Sequence, residues 1–403
     1  MVTELATSDW PPHGAEVVPW RQERRGGSRE DRVLTEVTTS MPPLIAELDY
    51  AIPADLTALS ERALVVLGAM DGEATGQPAA MARFMIRSES VASSKIERIS
   101  ASTEDFARAL AGQRSNSSAL SMVAASTALA TMVTSAGSRG TIDKADILAA
   151  HEALMRDDLA EGPYAGTLRD SQNWIGGSDN SPRNALFVPP PQGRVDELLD
   201  DLIVFANRDD LPTMAQVTIA HAQFESIHPF GDGNGRTGRA LIGAILRRRG
   251  VTPQTVVPVA SGLLARRGDY FDGLGSYRAG HVRPLLELML RSAVAAAEEG
   301  RISVQRIKQF PQQWEAQLDV RRGSTAALLI PAFFDNPVMS VADIERVVGP
   351  VSQKLYNAIA RLEDAGIVQE MTGRKRDRVW AAVDLMAELE DLDGRIAAAM
   401  ETI

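Results

Sequence analysis

Three features of this chain predict a mainly α-helical protein with one β-hairpin and a C-terminal winged helix-turn-helix. Apolar residues recur at helical spacing from about residue 41 to 297. The stretch 166–193 abandons that period for turn formers around two short apolar pieces. The last eighty residues order themselves as helix, turn, helix and hairpin. The 403 residues are enough for two to three domains, each able to bury a core.

Residues 1–40 are polar and rich in Pro and Gly, with the basic knot RQERRGGSREDR, and they predict a flexible arm. ADLTALSERALVVLGAM (54–70) predicts a first helix, 79–98 a second and 117–136 a third. Thr141, three residues before Lys144, supplies a cap signal for DKADILAAHEALM. In 166–193 the apolar pieces are Trp174-Ile175 and Ala185 to Val188, which reads as a hairpin or a long loop. Helices resume at 194–207 and 212–227, and 297–323 is a charged helical connector. Near the end, Ser340 caps VADIERVV, Gly349-Pro350 stops it, and Gly366 closes SQKLYNAIARLEDAG. The strands IVQEM and RVWAA then flank the basic turn TGRKRDR. These signals divide the chain into an arm (1–40), a helical region (41–137), a core (138–297), a connector (298–324) and a winged helix (325–403).

Composition excludes several chemistries. With no cysteine there are no disulfides, thiolate metal sites or Cys nucleophiles. A net charge of −11 confines any contact with nucleic acid to a local patch. The first residues, MVTELATSDWPPHG, carry acids and prolines where a secretory signal needs an apolar run. Nothing between Arg114 and Arg139 is charged, but its Ser and Thr content fits a buried helix better than a membrane span. The expectation is a cytoplasmic protein without membrane contact.

The chemistry concentrates in His228-Pro229-Phe230-Gly231-Asp232-Gly233-Asn234-Gly235-Arg236-Thr237-Gly238-Arg239. Pro229 stops the preceding helix, and three glycines open the backbone to unusual geometry. A new helix begins near Arg236, so a Gly-rich loop leads straight into a helix N-terminus, where free N–H groups and the dipole favour an anion. Arg236 and Arg239 are three apart on its first turn, each with a planar fork suited to phosphate. Asp232 offers a hard oxygen for Mg²⁺, and His228 can accept a proton near neutral pH. Other phosphate and metal loops fit badly: G-x-x-x-x-G-K-[ST] is absent, no G-x-G-x-x-G follows a strand, and Arg236 sits where an EF-hand needs a ligand.

These twelve residues resemble the signature H-x-F-x-[DE]-G-N-G-R-x-x-R of the Fic family (Fic/Doc superfamily), at every fixed position. The resemblance implies a helical core that transfers AMP from ATP to a Ser, Thr or Tyr hydroxyl of a target protein, or of itself, releasing pyrophosphate. It implies His228 as the base, Phe230 as the loop's apolar anchor and Asp232 as the Mg²⁺ ligand. Gly233, Asn234 and Gly235 would form the anion nest, and Arg236 and Arg239 would grip the β- and γ-phosphates. Members that phosphorylate carry Lys at the first Arg position, so Arg236 points to nucleotidyl transfer.

RSESVASSKIERI (87–99) is similar to the family's inhibitory helix, [ST]-x-x-x-E-[GN], with Ser93 and Glu97 on one helix face. Glu97 would then deny Arg239 to the γ-phosphate. Arg98 replaces the usual Gly or Asn, so either the helix runs on or the inhibition is altered. The stretch 174–188 matches the family's flap, where a target segment would add as a strand. Residues 262–290, with Tyr270, Tyr277-Arg278 and Gly280, resemble the helix pair closing the core near the adenine. His221 reads as a packed helix residue. Arg374, Lys375, Arg376 and Arg378 at the wing tip could touch DNA phosphates or a protein. Two alternatives stay open: a nucleotide-sensing DNA-binding regulator, and a bifunctional enzyme that also removes AMP.

Overall fold

The structure is a computed structural model, and it describes residues 10–22, 26–318, 323–350, 352–373 and 377–402. At 63% helix and 6% strand, the chain is mainly α. The predicted helices form at Ala54–Glu73, Pro78–Ile96, Ser117–Arg139, Lys144–Met155, Gln192–Ala206 and Thr213–Ile227. The Lys144–Met155 helix is capped by Asp143, not Thr141. The Asp143 carboxylate takes the backbone N–H of Asp146, whose own carboxylate accepts the N–H of Asp143 at 2.8 Å. Ser117–Arg139 is long and apolar enough to cross a membrane, with 44% of its apolar window buried. Its hydroxyls turn inward on the backbone, as where Thr131 Oγ1 donates to the Thr127 carbonyl at 2.8 Å.

The flexible arm expected for residues 1–40 is instead a hairpin where it is described. Gly14–Pro19 pairs antiparallel with Glu36–Met41, from Gly14 opposite Met41 to Pro19 opposite Glu36. The charge-rich composition hid two short runs, around Val17-Val18 and Val37, that pair with each other. Trp10 anchors the segment at 4% exposure, edge-on to Tyr50 and Phe205.

The boundaries read from composition are not joints of the fold. Position 137/138 lies inside Ser117–Arg139, and 297/298 lies inside one continuous helix, Arg283–Leu318. The composition changes at both places while the helical period does not. The chain groups into two compact units. The first comprises Met1–Leu64, Thr127–Val251 and Arg266–Leu290, and holds the hairpin, the Gly-rich loop and its helices. The second comprises Val65–Ser126, Thr252–Ala265 and Arg291–Ile403.

In the second unit, the Pro78–Ile96 helix packs against Val259–Ala265, Thr325–Asp335 and Val383–Thr402. The predicted C-terminal elements are all present. Val341–Val348 carries a Ser340–Asp343 capping box and ends at Gly349, and Ser352 caps Gln353–Asp364. Val368–Glu370 and Val379–Ala382 pair antiparallel, and an unforeseen strand, Val338–Ser340, adds to the far side of Val379–Ala382.

Candidate active site

The Gly-rich loop is built between two buried helices of the first unit. Every residue of Thr213–Ile227 is buried, and it packs along Asn234–Arg248. The close approach requires Gly238, where a Cβ would lie 2.8 Å from the Phe224 ring. The first helix ends at His228, its C-cap, in the left-handed conformation at φ 50°. This turn lifts the imidazole off the helix and starts the loop. The next helix starts at Asn234, two residues earlier than the sequence suggests, with Gly233 as N-cap at φ 75°. A Cβ at Gly233 would meet Leu154 at 3.0 Å and the Met155 sulfur at 3.1 Å, so both backbone and space demand glycine.

The loop is closed by its own side chains. Asn234 Oδ1 accepts the Phe230 N–H and Nδ2 donates to the Phe230 carbonyl, both at 2.9 Å. Asn173 Nδ2 donates to that same carbonyl at 2.9 Å. Asp232 is exposed, and its Oδ1 accepts the Gly233 N–H at 2.6 Å. Phe230 is fully buried, as its expected anchor role requires, and stacks on His151 with ring centroids 3.7 Å apart.

Two residues that hold this loop carried no sequence signal as site residues. His151, in Lys144–Met155, has Nδ1 accepting the Gly166 N–H at 3.0 Å. Its other nitrogen therefore donates to the Asp232 carbonyl, also at 3.0 Å. Burial lowers the His151 pKa to about 4, so the ring stays neutral and keeps both bonds at neutral pH. Arg169 grips the His228 turn. Its Nε donates to the His228 carbonyl at 2.8 Å, its Nη2 to the Pro190 carbonyl at 2.6 Å, and its own N–H to the Pro229 carbonyl at 2.9 Å. The first of these satisfies a carbonyl that the helix end leaves without an intrahelical donor, and the others tie it to the adjoining loops.

Arg236 and Arg239 are 6% and 1% exposed. Arg236 reaches the Met155 sulfur at 3.8 Å, and Arg239 Nη1 donates to the Tyr270 hydroxyl at 3.4 Å. His221 is fully buried, as expected, but it is also bonded to Tyr270 and to the Gly238 carbonyl. A proton acceptor, two guanidinium groups and a helix N-terminus thus lie on one loop and the helix turns flanking it. This arrangement suits a polyanion next to a nucleophile.

Residues 141–246 match the sequence profile of the Fic/DOC family. This stretch contains the Gly-rich loop and the helices on either side of it. Over 156 residues it is 29% identical to "Protein adenylyltransferase fic-1" of Caenorhabditis elegans, covering 38% of this chain and 27% of the relative. Over 148 residues it is 30% identical to "Protein adenylyltransferase Fic" of Drosophila erecta, covering 36% and 26%. The chain thus spans about a quarter of the length of these curated relatives. Among solved structures, a Fic family protein from Desulfovibrio desulfuricans G20 superposes with a TM-score of 0.52 at 22% identity, covering 83% of this chain and 98% of that one. This likeness shows a shared fold.

The stretch 174–188 beside the Gly-rich loop forms a minimal hairpin within a long loop. It has one bridge, Ile175 with Phe187. Its tip is tied to the N-terminal segment, where Ser181 Oγ donates to buried Asp31 at 2.6 Å. That bond, with those from Ser28, holds the Asp31 carboxyl well below the usual carboxylate range.

The remaining predicted residues lie in the second unit. Ser93 is buried in Pro78–Ile96, and Glu97 is its exposed C-cap. The helix does not run on through Arg98. Arg98 adopts φ 62°, its N–H reaches the Lys95 carbonyl, and the Ile99 N–H reaches the Ser94 carbonyl. This is a Schellman cap, which Gly or Asn at position 98 would adopt with least strain. Of the basic residues predicted at a wing tip, Arg374, Lys375 and Arg376 lie outside the described residues. Arg378 lies over the Trp380 ring and 3.7 Å from Glu363, so its charge is already opposed.

Proposed function

We propose that this protein is an adenylyltransferase that moves AMP from ATP to a Ser, Thr or Tyr hydroxyl of a target protein. The observation that carries the reading is His228, held by Arg169 on the loop that opens into the helix bearing buried Arg236 and Arg239. His228 takes the proton of the target hydroxyl. The oxygen attacks the α-phosphorus, the bond from that phosphorus to the bridging oxygen breaks, and pyrophosphate leaves. Arg236 and Arg239 balance charge on the β- and γ-phosphates, and the backbone N–H groups of Asn234 and Gly235 donate to phosphate oxygens, that of Gly233 being held by Asp232 Oδ1. The names of the relatives, at about 30% identity over part of the chain, support the same activity.

Asp232 fits a role toward Mg²⁺. It is the loop's exposed carboxylate, and among the described residues no group of three or more His, Asp or Glu could form a protein cage. Mg²⁺ takes one or two carboxylates and completes its shell with phosphates and water. When bound, it would neutralise phosphate charge.

Restraint by Glu97 belongs to this reading and rests on the Ser93–Glu97 spacing at a helix that ends where the motif requires. The C-terminal strand and helix order supports a winged helix, with a protein or DNA as its partner. In the test, α-labelled ATP and Mg²⁺ are offered to the chain and to a lysate. His228→Ala is expected to lower labelling by about 10²–10⁴-fold, and Glu97→Gly to raise it. If Glu97→Gly binds ATP and labels nothing with any nucleotide, the transferase reading fails.

A further inference from the structure

We infer that Tyr270 and His221 are positioning residues that set the phosphate grip of Arg239. The inference rests on the proposed role of Arg239 toward the terminal phosphates. Its observation is a chain of buried hydrogen bonds that leaves Arg239 and returns to the residue before it. Arg239 Nη1 lies 3.4 Å from the Tyr270 hydroxyl. That hydroxyl lies 2.9 Å from His221 Nε2, and His221 Nδ1 lies 2.9 Å from the Gly238 carbonyl. His221 is fully buried, and Tyr270 and Arg239 are each 1% exposed.

One end of this chain fixes a proton. A carbonyl accepts and never donates, so His221 Nδ1 carries the hydrogen. With the ring neutral, Nε2 presents a lone pair to which the Tyr270 hydroxyl donates. The Tyr270 oxygen then accepts the Arg239 N–H. Each bond polarises the next toward a better acceptor facing the guanidinium. Three helices contribute: Tyr270 from Arg267–Arg278, His221 from Thr213–Ile227, and Gly238-Arg239 from Asn234–Arg248. A long, flexible side chain is thereby fixed relative to its own backbone. Fixing a fork in advance is what gives bidentate phosphate recognition its strength. Packing alone would not require this polarity, since the Tyr270 and His221 rings also stack, with centroids 5.9 Å apart.

The test measures equilibrium binding of ATP and of AMP, with Mg²⁺, to the full chain in a Glu97→Gly background. Tyr270→Phe keeps the ring and removes the hydroxyl. It is expected to weaken ATP about tenfold, the value of one charge-assisted bond, and to leave AMP unchanged, because AMP lacks the outer phosphates. His221→Gln, which cannot span Tyr270 and Gly238 with two opposed ring nitrogens, should move ATP the same way and serves if Tyr270→Phe does not fold. Equal weakening of ATP and AMP, or no change in either, overturns the inference. Arg239→Ala separates the two claims. If it leaves the preference for ATP over AMP intact, the reading of Arg239 itself fails, whatever the Tyr270 variant does.

Discussion

Arg98 holds a backbone conformation that its own side chain disfavours. The Schellman cap needs a left-handed residue, and an arginine there bears a Cβ penalty of roughly 1 kcal/mol. Arg98 is exposed, so removing its side chain loses little packing. Arg98→Gly is therefore expected to stabilise the protein by about 1 kcal/mol, read as a higher urea midpoint at unchanged slope. An unchanged or lower midpoint would show that the position is not strained. At this scale the motif from His228 to Arg239 was legible because its chemistry is written in residue types at fixed spacing. His151 and Arg169 were not legible. Their partners are backbone carbonyls and N–H groups of distant residues, and those look alike in every sequence.

Among the elements, the long helices and the paired strands near the C-terminus were legible, and the N-terminal strands were not. A helix repeats its apolar signal over several turns, as in Thr213–Ile227, whereas the strand Gly14–Pro19 shows it once, at Val17-Val18. That hairpin has an acid-sensitive tie. His13 Nδ1 is bonded to Ser40 Oγ at 2.8 Å, and its ring stands edge-on to Tyr277. Burial first, then the charge of Arg278, lowers its pKa from 6.5 to about 3. The folded state therefore binds its proton more weakly than the unfolded state. The stabilising contribution is complete above pH 6.5 and is lost as the pH falls towards 3. Stability measured from pH 7.5 to 4 should fall less steeply in His13→Gln than in the parent, with amide exchange in 14–41 rising first in the parent. Parallel profiles would remove His13 from the account. The stretch 174–188, expected as a hairpin or a long loop, is a long loop with one antiparallel bridge, for a related reason. Gly176 and Gly177 both turn to positive φ, and Ser181 bonds to Asp31, a residue far away in the chain.

At the scale of the molecule, the C-terminal elements are not an appendage. Thr325–Asp335 and Val383–Thr402 pack on Pro78–Ile96, the helix that leads to Glu97. Asp393 accepts from Lys95 Nζ at 2.9 Å and from Ser261 Oγ at 2.7 Å. The buried face of Val383–Thr402, including Leu385, Leu389, Leu392, Ile396 and Met400, belongs to that core. A chain ending at residue 324 would expose the other half of this interface, so it should melt at a lower temperature than the full chain or precipitate. An unchanged melting temperature would mean that the C-terminal segment folds by itself. Composition suggested a boundary here because it registers where charge and residue type change along the chain. It does not register which distant segments share a core.

The bonds inside the Gly-rich loop also bear on how a ligand would enter. Asn234 holds Phe230 from both sides of its peptide, Gly233 is fixed by the side chains around it, and Arg169 and His151 brace the two ends. The loop proposed to receive a polyphosphate is therefore shaped before any ligand arrives. Little backbone freedom remains to be lost on binding, so affinity would track electrostatic complementarity and fall with ionic strength. In the proposed reaction, discrimination between targets would then lie in how they dock, with the nucleotide half of the site common to all of them.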